Sequence, residues 1–308
     1  MSNILDNKQT LPDNDKGDVV FYIFLILAIL LGAMVGSGLA LLSGSLFGFS
    51  PMEGLSDVGT DPDWNQRTYL RIANGLSHLF TFTISALAFA FYFFRAPLWK
   101  KLSFRWPVRL TNAGLGILIM IISFPLIQLL YFLNRQLPLP ETLTQMEASA
   151  ENMLRAVLTM NSPGELLLNL LVVAILPAVG EELIFRGLLQ KRLERYFKNG
   201  QWAIWITALI FSAIHLQFEG FLPRMFLGAV LGYLFYWSKN LWVPIFAHFV
   251  FNGMQVVGQY LFPEAVENLE KAESMAPNWP LAGISLIGVL FLAYYYRQMN
   301  QAPENTAL

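Results

Sequence analysis

The chain is 308 residues long, 55% hydrophobic and only 13% charged, whereas a soluble globule carries about 25% charged residues, so most of its surface must face lipid. Basic and acidic residues, 20 and 21, leave a net charge of −1, which argues against a nucleic-acid partner. No cysteine is present, which excludes disulfides, a thiol nucleophile and cysteine-ligated metal.

Residues 1–18 are polar, and the apolar run after them is too long for the core of a cleavable signal. They are expected to form a disordered cytoplasmic tail. Eight stretches are then apolar enough to span, at about 20 residues per crossing: 19–44, 70–94, 110–133, 165–190, 202–217, 222–237, 241–262 and 281–296. The fifth, sixth and eighth are short. No ten-residue alternation suggests barrel strands, so the segments are helices whose backbone polar groups are satisfied internally. The expected fold is an all-α membrane protein, a bundle of about eight transmembrane helices with polar catalytic residues inside. Residues 19–164 form its N-terminal part, 165–262 a catalytic core, and 263–308 an outer loop, last helix and tail.

Orientation follows the lysines and arginines. With the N-terminus inside, 13 lie on the cytoplasmic side and six outside, with Arg186 within the membrane. This predicts a multi-pass protein of a bacterial inner membrane with both termini cytoplasmic.

The first and sixth stretches each hold a small-xxx-small pair, Gly32 with Gly36 and Gly228 with Gly232. These read as sites of close intramolecular helix approach; a dimer seam is the other reading, and the oligomeric state stays open. The second stretch carries His78, which reads as structural because no carboxylate accompanies it. Residues 95–106 mix Pro97, Trp99, Phe104 and Trp106 with four cations, the composition of an interfacial segment facing anionic lipid. In 141–160, Leu143, Met146, Ala150, Met153, Leu154 and Val157 recur at helical spacing, predicting an amphipathic helix on the outer surface. Residues 263–280 read as a polar outer loop, and 298–308 as a disordered tail.

The fourth stretch contains Glu181, Glu182 and Arg186. Ionisable groups inside lipid cost about 2.5–3.5 kcal/mol each by insertion scales, so they are rare and usually functional. Glu182 and Arg186 are i and i+4 and can pair, while Glu181 points about 100° away. One carboxylate is thus held and the other free to act as a base. Pro177, just upstream, bends the helix or frees carbonyls near the carboxylates. Measured from the cytoplasmic turn at about 1.5 Å per residue, Glu181 and His215 sit level, each about 21–22 Å along its helix. His248 and Asn252 are again i and i+4, on the seventh stretch.

A carboxylate and an imidazole within reach of one water can deprotonate it. A second imidazole and an amide can hold the oxyanion formed when that water attacks a carbonyl. The set Glu181, His215 and His248 equally suits a zinc ion with an open position, and the residues alone do not decide between the two. Two other classes use the same residues differently: a proton-coupled transporter with Glu181, Glu182 and the histidines as relay, or a non-catalytic scaffold or bacteriocin-immunity protein.

Glu181-Glu182-x-x-x-Arg186, Phe211-x-x-x-His215 and His248-x-x-x-Asn252 resemble, in order and spacing, the three motifs of the CAAX-processing and bacteriocin-processing (CPBP, or Abi) intramembrane proteases. The likeness covers 166–258. It implies a type II CAAX prenyl endopeptidase-like hydrolase, without a required metal, acting on a membrane-associated and possibly lipidated peptide or protein. It further implies Glu181 as the base that activates water, with His215 sharing that water. His248 and Asn252 would stabilise the oxyanion, Glu182 and Arg186 would support the site, and Phe211 would pack beside it.

Overall fold

The computed structural model describes residues 15–50, 62–94, 97–264 and 277–301. Among them every regular element is helical. We number the helices α1 (Asp15–Ser43), α2 (Trp64–Phe94), α3 (Leu98–Lys101), α4 (Leu110–Ile122), α5 (Phe124–Arg135), α6 (Glu141–Leu158), α7 (Pro163–Phe197), α8 (Gly200–Ala213), α9 (Phe221–Ser238), α10 (Trp242–Leu261) and α11 (Trp279–Gln301).

The chain is an integral membrane protein. Large apolar side chains stand exposed along the outer helices, including Phe24, Leu27, Leu30 and Met34 on α1 and Ile284, Ile287 and Phe291 on α11. Such apolar faces mark a membrane or partner contact, and on helices long and apolar enough to cross a bilayer they face lipid.

Helices occupy all eight expected positions, but their lengths differ. Among the described residues four helices (Gly17–Phe47, Trp64–Phe94, Pro163–Phe197 and Trp279–Gln301) are long and apolar enough to cross alone, or five if α4 and α5 count as one span. Those two are bent by 43°, where Pro125 has no N–H to return to the carbonyl of Ile121. Helix α8 has 14 residues, about 21 Å at 1.5 Å per residue, against a hydrocarbon layer of about 30 Å. Helix α1 begins at Asp15, within the expected tail, and α11 runs on to Gln301. The rest of both tails, and most of the outer loop, lie outside the described residues, as does Arg95 of the interfacial segment.

Helix α7 is the axis of the bundle. Ser162 caps its start, accepting a bond from the Glu165 amide at 3.3 Å, and Pro163 fills the first turn, where a missing N–H is harmless. At its other end Lys198 adopts a left-handed conformation (φ 51°) and Asn199 caps α8, so the two helices fold back tightly. All of Leu183–Gln190 is buried. Side chains from α7 reach two carbonyls of α9 one turn apart: Arg186 donates to Gly228 and Gln190 to Gly232. Residues four apart bond to residues four apart in the same order, so α9 runs parallel to α7. Helix α2 is also parallel, meeting α7 at Arg71 with Asn169 and at Gly180 with Phe82. Helix α10 runs the other way, with His248 at Glu182 and Asn252 at Val173.

Both small-xxx-small pairs make close contacts within the chain. A Cβ on Gly32 would lie 2.3 Å from the Phe80 carbonyl oxygen, and one on Gly36 would lie 3.0 Å from the Ser77 Cα. On α9, one at Gly228 would lie 3.2 Å from the Ala208 Cα. The missing side chains let α1 reach α2 and α9 reach α8.

A second polar cluster joins α2, α6 and α7. Glu165 Oε1 accepts from Arg67 Nε at 3.1 Å and from an Arg71 terminal nitrogen at 2.8 Å. Arg71 also donates to the carbonyls of Val157 and Thr159 and to Asn169. Arg71 and Asn169 are wholly buried, and a buried charge persists only when so surrounded. The cluster secures the C-terminal end of the amphipathic helix α6, whose buried residues are Ala156 and Val157.

Candidate active site

The carboxylates sit on a short α-helical piece of α7, Leu176–Glu182, between two π-helical stretches, Leu170–Ile175 and Leu183–Gln190. A third π-helical stretch, Leu79–Ile84, lies opposite on α2. Such widened turns place side chains off the regular 3.6-residue rhythm and recur at functional sites. Pro177 has no N–H for the carbonyl of Val173 four residues earlier. The side-chain amide of Asn252 donates to that carbonyl instead, at 3.2 Å, while α7 remains continuous.

Glu182 is fully buried and accepts from two partners through Oε1, Arg186 at 2.7 Å and His248 Nδ1 at 3.0 Å. Arg186, itself wholly buried, spends another nitrogen on the Gly228 carbonyl at 2.7 Å and lies 5.1 Å from the Phe211 ring centre. A carboxylate held by an arginine is an acceptor only, so His248 Nδ1 carries the hydrogen. Its other nitrogen, Nε2, faces Glu181 Oε2 at 3.9 Å.

Glu181 is 6% exposed. Its Oε1 meets His78 Nε2 at 3.1 Å. This corrects the expectation that no carboxylate accompanies His78: the carboxylate comes from another helix, 103 positions away. His78 stacks on Phe82, ring centres 4.5 Å apart, and its Nδ1 is buried without a hydrogen-bond partner. The approach depends on Gly180, where a Cβ would stand 2.7 Å from Thr83 Oγ1 and 2.9 Å from Phe82 Cβ.

His215 is not mid-helix. Helix α8 ends at Ala213, and His215 lies in the turn beyond it, followed by Leu216 at φ 53°. A bulky residue in the left-handed region is uncommon and costs about 1–2 kcal/mol. Arg224, at the start of α9, donates twice to Gln217, once to the side chain at 2.9 Å and once to the carbonyl. The Asn134 amide donates to the Phe218 carbonyl and its oxygen accepts from Leu222 at 2.9 Å. These contacts fix the turn that carries His215. Arg224 and Asn134 escaped sequence reading because their partners lie in and around a loop, at no helical spacing. His215 Nδ1 lies 2.7 Å from the Phe211 carbonyl, which can only accept, so in the neutral ring Nε2 is left as the acceptor. Its ring packs edge-on to Phe211 at 5.0 Å, and Phe211 in turn lies 6.4 Å from the His248 ring. Glu181 is within electrostatic range of His78, His215 and His248.

The structure thus gathers Glu181, Glu182, Arg186, Phe211, His215, His248 and Asn252 from three helices and a turn, and adds His78. Among the described residues no three histidine, aspartate or glutamate side chains are grouped to hold a metal ion. One nitrogen of His248 is already engaged by Glu182.

The sequence model of the type II CAAX prenyl endopeptidase Rce1-like family matches residues 163–254, the segment bearing all the motifs. Among curated proteins, the membrane-embedded CAAX protease MroQ of Staphylococcus aureus (strain USA300) is 34% identical over 110 residues, 34% of this chain and 43% of that protein. The putative membrane peptidase YdiL of Bacillus subtilis (strain 168) is 29% identical over 123 residues, 39% of this chain and 47% of that protein. The uncharacterized protein YpbD of the same organism is 29% identical over 90 residues, 28% of this chain and 43% of that protein. The chain spans less than half the length of each relative. No solved structure matches.

Proposed function

We propose that this protein is an intramembrane endopeptidase that hydrolyses a peptide bond of a membrane-associated peptide or protein, with CAAX-like lipidated substrates as the first class to test. One observation carries the reading. A buried glutamate, Glu181, faces two imidazoles, His78 at 3.1 Å and His248 at 3.9 Å, within the segment that matches the protease family.

In this reading Glu181 is the general base. Water attacks the scissile carbonyl carbon as Glu181 takes its proton; the same carboxyl later returns that proton to the leaving amine. The bare Nε2 of His215 accepts the second hydrogen of the water and orients it. His78 donates to the far oxygen of Glu181 and holds the carboxylate in place. His248 donates from Nδ1 to Glu182, and its oxyanion role calls for a hydrogen on Nε2 as well. That N–H and the second amide hydrogen of Asn252 serve the oxyanion. Glu182 and Arg186 act through His248, as positioning residues. No step is routed through a metal. Zinc on Glu181, His215 and His248 is the rival means of activating water and calls for those side chains to draw together.

The test is a library of membrane-anchored peptides, with and without a prenylated C-terminal cysteine, incubated with the purified protein in lipid. Products are read by mass spectrometry with and without a chelator. Cleavage at one bond class that survives the chelator is the expected result. Cleavage lost with the chelator and restored by zinc would overturn the metal-free mechanism, and solute flux without cleavage would overturn the peptidase.

A further inference from the structure

At the end of α7 remote from the Glu165 cluster, ten residues beyond Glu181 and about 15 Å along the helix, the chain forms an open cavity of about 380 Å³. It is lined by Ser103, Arg105, Lys191, Glu194, Arg195, Phe235 and Lys239. Four cations face one carboxylate. That carboxylate is already engaged: Glu194 Oε1 accepts from Gln190 at 3.1 Å and Oε2 from Lys239 at 3.2 Å. Lys191, by contrast, meets neutral oxygens, the carbonyl of Lys101 and Ser103 Oγ at 2.7 Å. The wall therefore keeps an excess of positive charge that its own acid does not cancel.

The walls are built, not incidental. The Asn240 side chain binds the backbone of Arg105 in both directions, accepting from its N–H at 3.3 Å and donating to its carbonyl at 3.0 Å. The amide of Leu241 donates to the Ser103 carbonyl at 3.0 Å. Ser103 and Lys239 both hold left-handed backbone conformations, at φ 66° and 50°. Such conformations cost energy in a residue other than glycine and persist only where their surroundings enforce them. Three separate chain segments are thereby fixed around one basic hollow.

The setting selects the ligand. The cavity opens beside residues 97–106, where Trp99 and Trp106 are 61% and 80% exposed, the depth at which tryptophan meets lipid headgroups. Phe235 gives it an apolar wall. A phosphate needs the cations, and a glycerol or acyl stem needs the aromatic surface. We propose that this cavity binds the phosphate headgroup of an anionic phospholipid from the leaflet on that side of the membrane. Because Lys191, Glu194 and Arg195 are on α7 itself, the lipid braces the helix that carries Glu181. The proposal stands independently of the peptidase reading, and its test uses no substrate.

The full-length protein is placed in nanodiscs of phosphatidylcholine, or of phosphatidylcholine with phosphatidylglycerol, and its thermal unfolding is followed. Phosphatidylglycerol is expected to raise the midpoint by several degrees. Arg105→Gln and Lys191→Gln are each expected to remove at least half of that rise. Arg105→Gln guards against a folding defect, since the bonds of Arg105 to Asn240 are made by its backbone. Millimolar inorganic phosphate in phosphatidylcholine discs is expected to produce no rise; an equal rise there would overturn the lipid as source. A rise of the same size in wild type and both variants would overturn the site.

Discussion

Among the polar side chains gathered in the interior, His78 has the most testable contact. Its Nε2 lies 3.1 Å from Glu181, and a neutral imidazole donates from one nitrogen only. Replacing His78 by alanine is expected to lower the cleavage rate by at least tenfold, about 1.4 kcal/mol of barrier. His78→Gln, which keeps an N–H donor at similar reach, recovers part of the loss. Equal rates for wild type and both variants, measured on protein of unchanged unfolding midpoint, would remove His78 from the site. Sequence reading set this residue aside as structural because its partner comes from another helix and no local spacing betrays the pair. The usable signal was an imidazole in an apolar span, which is costly enough to suggest a function by itself. Glu182 and Arg186, by contrast, were readable because their pairing is local: i and i+4 on one helix face, with the oxygen and nitrogen 2.7 Å apart.

The site is assembled by helices that approach closely where a side chain is missing. Gly180 is the critical contact between α2 and α7, since a Cβ there would press on Thr83 and Phe82 at under 3 Å. Gly180→Ala is expected to destabilise the protein by about 1–3 kcal/mol through overpacking and to reduce cleavage by moving His78 away from Glu181. Gly114, on α4, has nothing within 4 Å of the same position, so Gly114→Ala should stay within about 0.5 kcal/mol of wild type. Equal unfolding midpoints for the two variants would refute the close approach. The carbonyl freed by Pro177 was legible from proline's missing N–H, and its partner Asn252 was already a candidate. The end of α8 at Ala213 was not legible. Ile214 and His215 continue an apolar pattern, while Leu216 leaves the helix through a left-handed turn that no periodicity reveals.

For the whole molecule, composition made the membrane and the all-helical fold plain, but not the number of crossings. Hydropathy registers lipid-facing surface, and α8, α9 and α10 spend much of theirs on one another and on α4, α5 and α7, where helix contacts replace lipid contacts. The positive-inside assignment puts Lys198, in the turn between α7 and α8, on the cytoplasmic side and α6 outside. The chain has no cysteine, so single replacements report cleanly. Ser149→Cys on α6 is expected to react with a membrane-impermeant maleimide added to intact spheroplasts, and Lys198→Cys only after lysis. The reverse pattern would invert the protein and move the basic cavity to the outer leaflet.

The claim that Glu181 activates the attacking water is tested most directly by comparing wild type with Glu181→Gln, an isosteric change that removes the base. Both are purified in the same lipid and matched in unfolding midpoint, and hydrolysis of one cleaved membrane peptide is followed. The account predicts a loss of at least about a hundredfold, in the range usual for a general base. A Glu181→Gln protein that cleaves at the wild-type rate would contradict it.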